Sequence, residues 1–528
     1  MNRRYVRLSL LWLWVAAIAP AGAQPFDPKD PTAGTFIDEW FLVRIGTEEA
    51  GWAHSTCTRQ KDHVMSQTVM HLSIKRAGQT IEIDTTERTT ETIPGEPLTF
   101  ESIAKFAVME TRVAGRVEGG KVFLTASQFG QSTEQTHDFP AGAKMSWGML
   151  AEQYRQGLKP GTSYRVPVYA PALRADGAIT ASVQVGAKEP LDLPDGRKTE
   201  ATRVTTVLEL PADMPMGRIE SVGWLDDDYR ILRSEMPLPA IGTLEMIRTT
   251  EARAKATGGG AELFLSTLIP VSRPIDREAA RAITYRLTYT GPAGDPPPEL
   301  PKTAMQTPGP WKDRVMELRV ARVDPRRLAG IEGHTDKEDV KPYLVSNLWM
   351  NHEDPEIRKM AKEAAGDAKG RYAICDRLRR YVTDVIEEKD LSVGFATASE
   401  VARNRQGDCS EHSVLLAALG RALGIPSRVV YGVVYVPAFE GQKHVFGFHM
   451  WTQFLIGDAW VDFDAAQGES DCNPTHIAVA ASSMQDTSMG DLAFPLLRVM
   501  GQLRIDVVDV RTDAGPTPAP AVPISTNG

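Results

Sequence analysis

The 528-residue sequence predicts a multidomain chain with a large N-terminal antiparallel β domain, a small β module and a C-terminal α+β domain. Three observations carry that expectation. From about Thr35 to Thr250, apolar and polar residues alternate, threonines are frequent and helical stripes are few, which is the pattern of half-buried strands. Ala256-Thr257-Gly258-Gly259-Gly260 then interrupts the pattern as a linker. From about Asp354 apolar residues recur at helical spacing, and after Pro426 strand patterns return.

The elements follow in chain order. Arg3, Arg4 and Arg7 precede an apolar stretch from Leu8 to Ala19 and the small residues Ala21-Gly22-Ala23, so residues 1–23 read as a signal peptide. The apolar stretch is too short for a comfortable membrane span, and none longer follows, so no span is expected in the mature chain. An exported protein, periplasmic or extracellular, is the expectation. Loss of three arginines takes the formal charge from −9 to −12, an acidity that argues against nucleic acid as partner. No motif encodes an oligomeric state.

In the β domain, 24–255, Trp40 to Ile45 and Gly51 to Arg59 flank a turn, and Thr80 to Thr92 reads as one long strand. Val113 to Val117 and Lys121 to Thr125 flank Glu118-Gly119-Gly120 as a hairpin, within one large twisted sheet or open barrel. His54, His63, His71 and His137 are scattered there and suggest no catalytic grouping. The small module, 261–330, carries strands near Ile283 to Tyr289 and Val315 to Val320, with a loop from Gly291 to Lys302 between them. The third domain spans 335–508, and the Pro/Ala-rich end, 509–528, reads as an extended tail.

Within the third domain Asp354-Pro355-Glu356 starts a helix that Gly366 closes. A second helix runs from about Arg371 to Glu387 with Cys375 on its apolar stripe, and a third starts at Thr397 with Glu400 as capping-box partner. Asp408 and Glu411 form the same pair at the start of a fourth, whose apolar face includes Val414, Leu415, Ala418 and Leu419 and which ends at Gly424 and Pro426. Strands follow at Ser427 to Val436, Phe446 to Leu455 and Ala459 to Asp464.

The fourth helix places Cys409 in its first turn, where free N–H groups and the helix dipole favour thiolate. The same N–H groups suit the oxyanion of a tetrahedral intermediate. A two-residue turn at Gly457-Asp458 pairs Trp451 with Asp464 and leaves His449 diagonal to that carboxylate. Cysteine, histidine and carboxylate are the types a nucleophile, a base and its orienter require. The four cysteines, Cys57, Cys375, Cys409 and Cys472, contain no CxxC pair, and a zinc site from Cys409, His444 and His449 lacks recognisable spacing. Asp462 is the rival orienter. His412 and His444 read as surface or supporting residues, and Glu469 and Asp471 as solvated.

The segment from Phe395 to Val401, Cys409-Ser410-Glu411-His412, Gly424 to Arg428, His449-Met450-Trp451 and Trp460 to Asp464 resembles, in that order, the bacterial exported branch of the transglutaminase-like (papain-related) superfamily. The resemblance covers roughly Asp354 to Ala466. It implies a papain-like α+β fold with Cys409 as nucleophile, His449 as general base and acid, and Asp464 as orienter. It implies no cofactor and no catalytic metal, and a protein or peptide substrate attacked at a peptide or glutamine-type carboxamide. Hydrolysis and amine transfer both remain open. Ala465 stands where the family usually has proline, and no oxyanion-hole tryptophan can be placed. The rival class is a non-catalytic exported binding or scaffold protein of the envelope.

Overall fold

The structure, a computed structural model, describes residues 27–516 apart from 77–78, 107–108, 129–130, 194–195, 211–217, 239–241, 257–259, 263–264, 292–295, 325–327, 329–337, 388–395, 470–471, 485–498 and 514. The expected signal peptide, most of the glycine linker, Asp471 and the chain end beyond 516 lie outside the described residues. The chain forms two compact units, one ending at residue 264 and one beginning at residue 265.

In the first unit 14 strands between Gly34 and Thr249 pair antiparallel in one sheet. Two meanders meet where Gly34–Ile45 pairs with Gly242–Thr249, Trp40 facing Thr249 and Ile45 facing Leu244. Both arms feed one core. Ile37 and Val43 of the first strand pack with Leu72 and Ile83 from one arm and Val166, Val183 and Leu208 from the other, so the sheet wraps around its own apolar face. The expected hairpin is present, Glu118 facing Lys121.

One element was not expected, helix α1 (Ser146–Gln156). Its N-cap residue Met145 makes no side-chain cap bond. Instead the buried Glu91 carboxylate accepts the Trp147 N–H at 2.7 Å and the Gly148 N–H at 2.8 Å. The cap comes from a strand more than fifty residues upstream, so no local signature announces the helix. Trp147 and Leu150 of α1 are buried in the sheet's core. A short helix, α2 (Glu251–Lys255), ends the unit's main run. Each of the four histidines bonds a different neighbour: His54 bonds Asp38, His71 bonds Asp84, His63 bonds Asp62 and His137 bonds Gln135.

The second unit joins the segments expected as the small module and the third domain. Ala280–Tyr289 pairs with Val315–Ala321 as expected, and on its other edge with Leu503–Thr512. That last strand runs past residue 508, so the tail expected from 509 begins too early: Thr284 faces Asp509 and Ala280 faces Thr512 in the sheet. Ile283, Leu287, Leu318 and Ile505 share one core with Val433, Phe446 and Ile477 of the neighbouring sheet. The module therefore buries its apolar face against the site-bearing sheet, not within itself.

That sheet runs in the order Ile269–Pro270, Gln442–Ile456, Ser427–Phe439, His476–Ser482, with Ala459–Phe463 also paired to Gln442–Ile456. Helices α3 (Pro355–Ala365), α4 (Arg371–Val385), α5 (Ala398–Asn404) and α6 (Cys409–Ala422) stand where the sequence places them, and Thr397 with Glu400 completes the expected capping box. Cys375 is fully buried on α4. The apolar face expected on α6 is exceeded: every residue from Ser410 to Arg421 is buried, because α3, α4 and α5 pack around it as well as the strands. None of the four cysteines is bridged.

Candidate active site

Helix α6 begins at Cys409 because its neighbours satisfy the first-turn donors. Asp408 is extended (φ −101°) and accepts the Ser410 N–H at 2.8 Å as well as the Glu411 N–H, while Glu411 accepts the Asp408 N–H at 2.9 Å. The other Glu411 oxygen takes the Ala396 N–H at 2.9 Å, which ties the entry of α5 to the start of α6. Gly407 has φ +143°, and a Cβ there would lie 2.3 Å from the Glu411 side chain, so this approach requires glycine. Burial, with the Asp408 carboxylate beside it, pushes the Glu411 carboxyl up to about 8. This cap narrows the expected oxyanion site: the Ser410 and Glu411 N–H groups are occupied, and the N–H of Cys409 itself is the first-turn donor the cap leaves over.

The hairpin register is the expected one. Ile456 faces Ala459 across the Gly457-Asp458 turn, and Gln453 faces Asp462. Asp464 follows the last paired residue and is held by a tight loop, its N–H bonding the Glu469 carbonyl at 2.8 Å and its Oδ1 accepting the Gln467 N–H at 3.0 Å. Its Oδ2 lies 2.7 Å from His449 Nε2. Burial opposes charge on the His449 ring, but the Asp464 carboxylate and then the Cys409 sulfur outweigh it and push the ring up to about 10. Since Asp464 occupies Nε2, Nδ1 is the nitrogen left for the half-buried Cys409. Burial likewise opposes the charge of Asp464, and the two histidines on it hold its carboxyl well below the usual carboxylate range.

The second histidine is His476, which sequence reasoning missed. It opens the strand His476–Ser482, is 3 % exposed, and lies 3.1 Å from Asp464 Oδ2 through Nε2. The β-branched run after Asn473-Pro474-Thr475 signals a strand, but nothing local aims its first residue at Asp464. The small module fixes this segment: Tyr285 donates to the Pro474 carbonyl at 2.9 Å, and the Gln306 amide bonds both the N–H and the carbonyl of Ala478, each at 2.9 Å. The ring nitrogens of His449 and His476 and an oxygen of Asp464 all lie within 4.8 Å of one another. Here the two rings bond the carboxylate directly.

The remaining candidates separate cleanly. Asp462 bonds Trp451 Nε1 at 2.7 Å and Gln453 Nε2 at 2.6 Å, so it braces the buried tryptophan and not His449. His444 Nδ1 pairs with the Tyr435 hydroxyl at 2.8 Å. His412 is buried, with Nδ1 2.7 Å from the Asp408 carbonyl. Glu469 is not solvated: it pairs with Arg277 at 2.6 Å and accepts the Asn473 backbone and side-chain N–H groups, closing the loop under Asp464. Ala465 takes part in that closure through its carbonyl, which accepts the Thr383 hydroxyl at 2.7 Å. Finally, the Tyr431 hydroxyl is buried without a hydrogen-bond partner among the described residues, and burial, with the Cys409 sulfur near it, raises it well above the ordinary tyrosine value.

Residues 358–465 match the Transglutaminase-like superfamily. No curated protein matches the chain. Among solved structures, a candidate cysteine protease from Cytophaga hutchinsonii is 17% identical, covers 42% of this chain and 83% of its own, and scores a TM-score of 0.29. A β-barrel-like protein of a domain of unknown function from Brucella abortus is 13% identical over 41% of this chain and 96% of its own, with a TM-score of 0.30. A candidate protease from Parabacteroides distasonis ATCC 8503 is 13% identical over 68% of this chain and 64% of its own, with a TM-score of 0.18. These scores are too low to establish a shared fold.

Proposed function

We propose, from the transglutaminase-like domain at residues 358–465, that this chain is a thiol acyl-transfer enzyme acting on a peptide or glutamine-type carboxamide. The observation that carries the reading is the 2.7 Å bond from His449 Nε2 to Asp464, which leaves Nδ1 for Cys409 at the head of α6. In the first step Cys409 Sγ, as thiolate, attacks the carbonyl carbon. A C–S bond forms and the carbonyl π pair moves onto oxygen, beside the Cys409 N–H. The C–N bond then breaks, and the amine leaves with the proton from His449 Nδ1. An incoming water or amine gives a proton back to Nδ1, adds to the thioester, and expels the Cys409 thiolate. Asp464 keeps the ring in one tautomer and stabilises its cation throughout.

A ring pushed up to about 10 holds its proton across neutral pH. His449 is thus poised as the acid for the leaving amine. Water gives a peptidase or amidase, and amine gives a crosslinking enzyme. The basic, then apolar, then small-residue leader supports export to the periplasm or beyond. Cys409→Ala tests the reading: labelling by a thiol-directed electrophile and turnover of peptide carboxamides should both vanish. Labelling that persists in that variant sinks it and leaves the non-catalytic envelope protein as the better account.

A further inference from the structure

We propose that His476 is a second imidazolium on Asp464 and that it sets how firmly His449 holds its proton. The proposal rests on the reading of Cys409, His449 and Asp464 as the reactive group. Its basis is hydrogen-bond bookkeeping at a buried ring. His476 Nε2 faces Asp464 Oδ2 at 3.1 Å, and Nδ1 faces the Asn473 carbonyl oxygen at 3.2 Å. A carbonyl only accepts, and an ionised carboxylate only accepts. Both ring nitrogens must therefore carry hydrogen, which makes the ring a cation.

Two acidic groups facing that ring favour its charge, and the His449 ring, itself a cation in this scheme, opposes it. Asp464 is in contact, and Glu469 adds negative potential while itself paired to Arg277. Asp462 lies close enough for the ring to act on it, though burial first raises its carboxyl and favours its neutral form. The His449 ring stands 6.2 Å away at an interplanar angle of 65°, and Trp451 is 5.2 Å away with its plane nearly perpendicular to the ring. Burial opposes the cation, and the Asp464 bond and charge, then Glu469, raise the ring's affinity for its proton.

The consequence is a row of alternating charges: thiolate, imidazolium, carboxylate, imidazolium. Asp464 alone would bind the proton of His449 so tightly that deacylation, which needs that ring as a base, would stall. A second cation on the same Oδ2 draws off part of that field. His476 is a positioning residue in this scheme and touches no reacting atom.

The test uses the full chain and two probes, anionic iodoacetate and neutral iodoacetamide. Protonated His449 should attract iodoacetate, so its rate advantage over iodoacetamide should fall as that ring loses its proton in alkali. In His476→Gln, which keeps a donor but removes the charge, that alkaline midpoint should move up by roughly one pH unit. An unmoved midpoint, with unchanged melting temperature, overturns the proposal and leaves His476 a structural donor. Should the variant fail to fold, nitrogen NMR of the histidine-labelled wild-type chain decides: an exchange-protected ring with both nitrogens protonated at neutral pH supports it, and a neutral tautomer there overturns it. A wild-type chain whose iodoacetate preference is unchanged by His449→Ala removes the nucleophile reading instead, and the ring NMR still decides His476.

Discussion

His449 and Asp464, fifteen residues apart in sequence, meet at 2.7 Å because a two-residue turn at Gly457-Asp458 fixes the register of the strands that carry them. The carboxylate is fully buried, and its second oxygen is held by the backbone of Gln467, so it orients the ring without freedom to rotate. Asp464→Asn should preserve this shape, yet lower kcat/KM by on the order of 10⁴, since the amide can leave the ring in the wrong tautomer. Steady-state rates with retained near-ultraviolet dichroism check this, and a loss under tenfold would remove Asp464 from the role.

The same pair sets a pH dependence of stability. The His449 ring is raised from 6.5 to about 10, so its contribution is fully present below about pH 6.5 and is lost as pH rises through about 10. Asp464 is depressed, so its contribution is present above the ordinary carboxylate range and lost in strong acid. Melting temperatures of wild type and Asp464→Asn should differ most near neutrality and converge above pH 10. A gap constant with pH would contradict the pairing.

Glu411 runs in the opposite sense for a carboxylate. Its folded value is raised from 4.5 to about 8, so the protonated form stabilises the fold below about pH 4.5, and that contribution is lost as pH rises through about 8. Glu411→Gln should flatten the alkaline decline in melting temperature between pH 6 and 9. Glu411→Ala should destabilise at every pH, because the Ala396 and Asp408 N–H groups lose their acceptor, at roughly 1–3 kcal/mol for each buried donor.

Tyr431 offers a buried hydroxyl, without a partner among the described residues, close enough to Cys409 for the two to interact electrostatically. If it donates to the oxyanion alongside the Cys409 N–H, Tyr431→Phe should lower kcat by about 10²–10³ and leave KM nearly unchanged. Equal kcat in the variant would make the hydroxyl a bystander.

Glu91 caps α1 from a neighbouring strand. Glu91→Ala should cost roughly 2–5 kcal/mol by denaturant unfolding of the first unit, since two buried N–H groups lose their acceptor. Labelling of Cys409 should be unaffected.

The sequence by itself determined what depends on neighbours a few residues apart. Asp408 and Glu411 start α6 at Cys409, Asp354-Pro355 starts α3, and Gly457-Asp458 sets a register that favours Asp464 over Asp462 for His449. Period and capping are local, so the chain itself states them. Tertiary structure alone decided the rest. Helix α1 takes its cap from Glu91, the small sheet takes Leu503–Thr512 as its third long strand, and His476 reaches Asp464 from a strand paired to Ser427–Phe439 and braced by Tyr285 and Gln306. Each of these contacts joins residues far apart in sequence through a hydrogen bond or a strand edge. Such partners are chosen by how cores pack, and no short window of sequence records that choice.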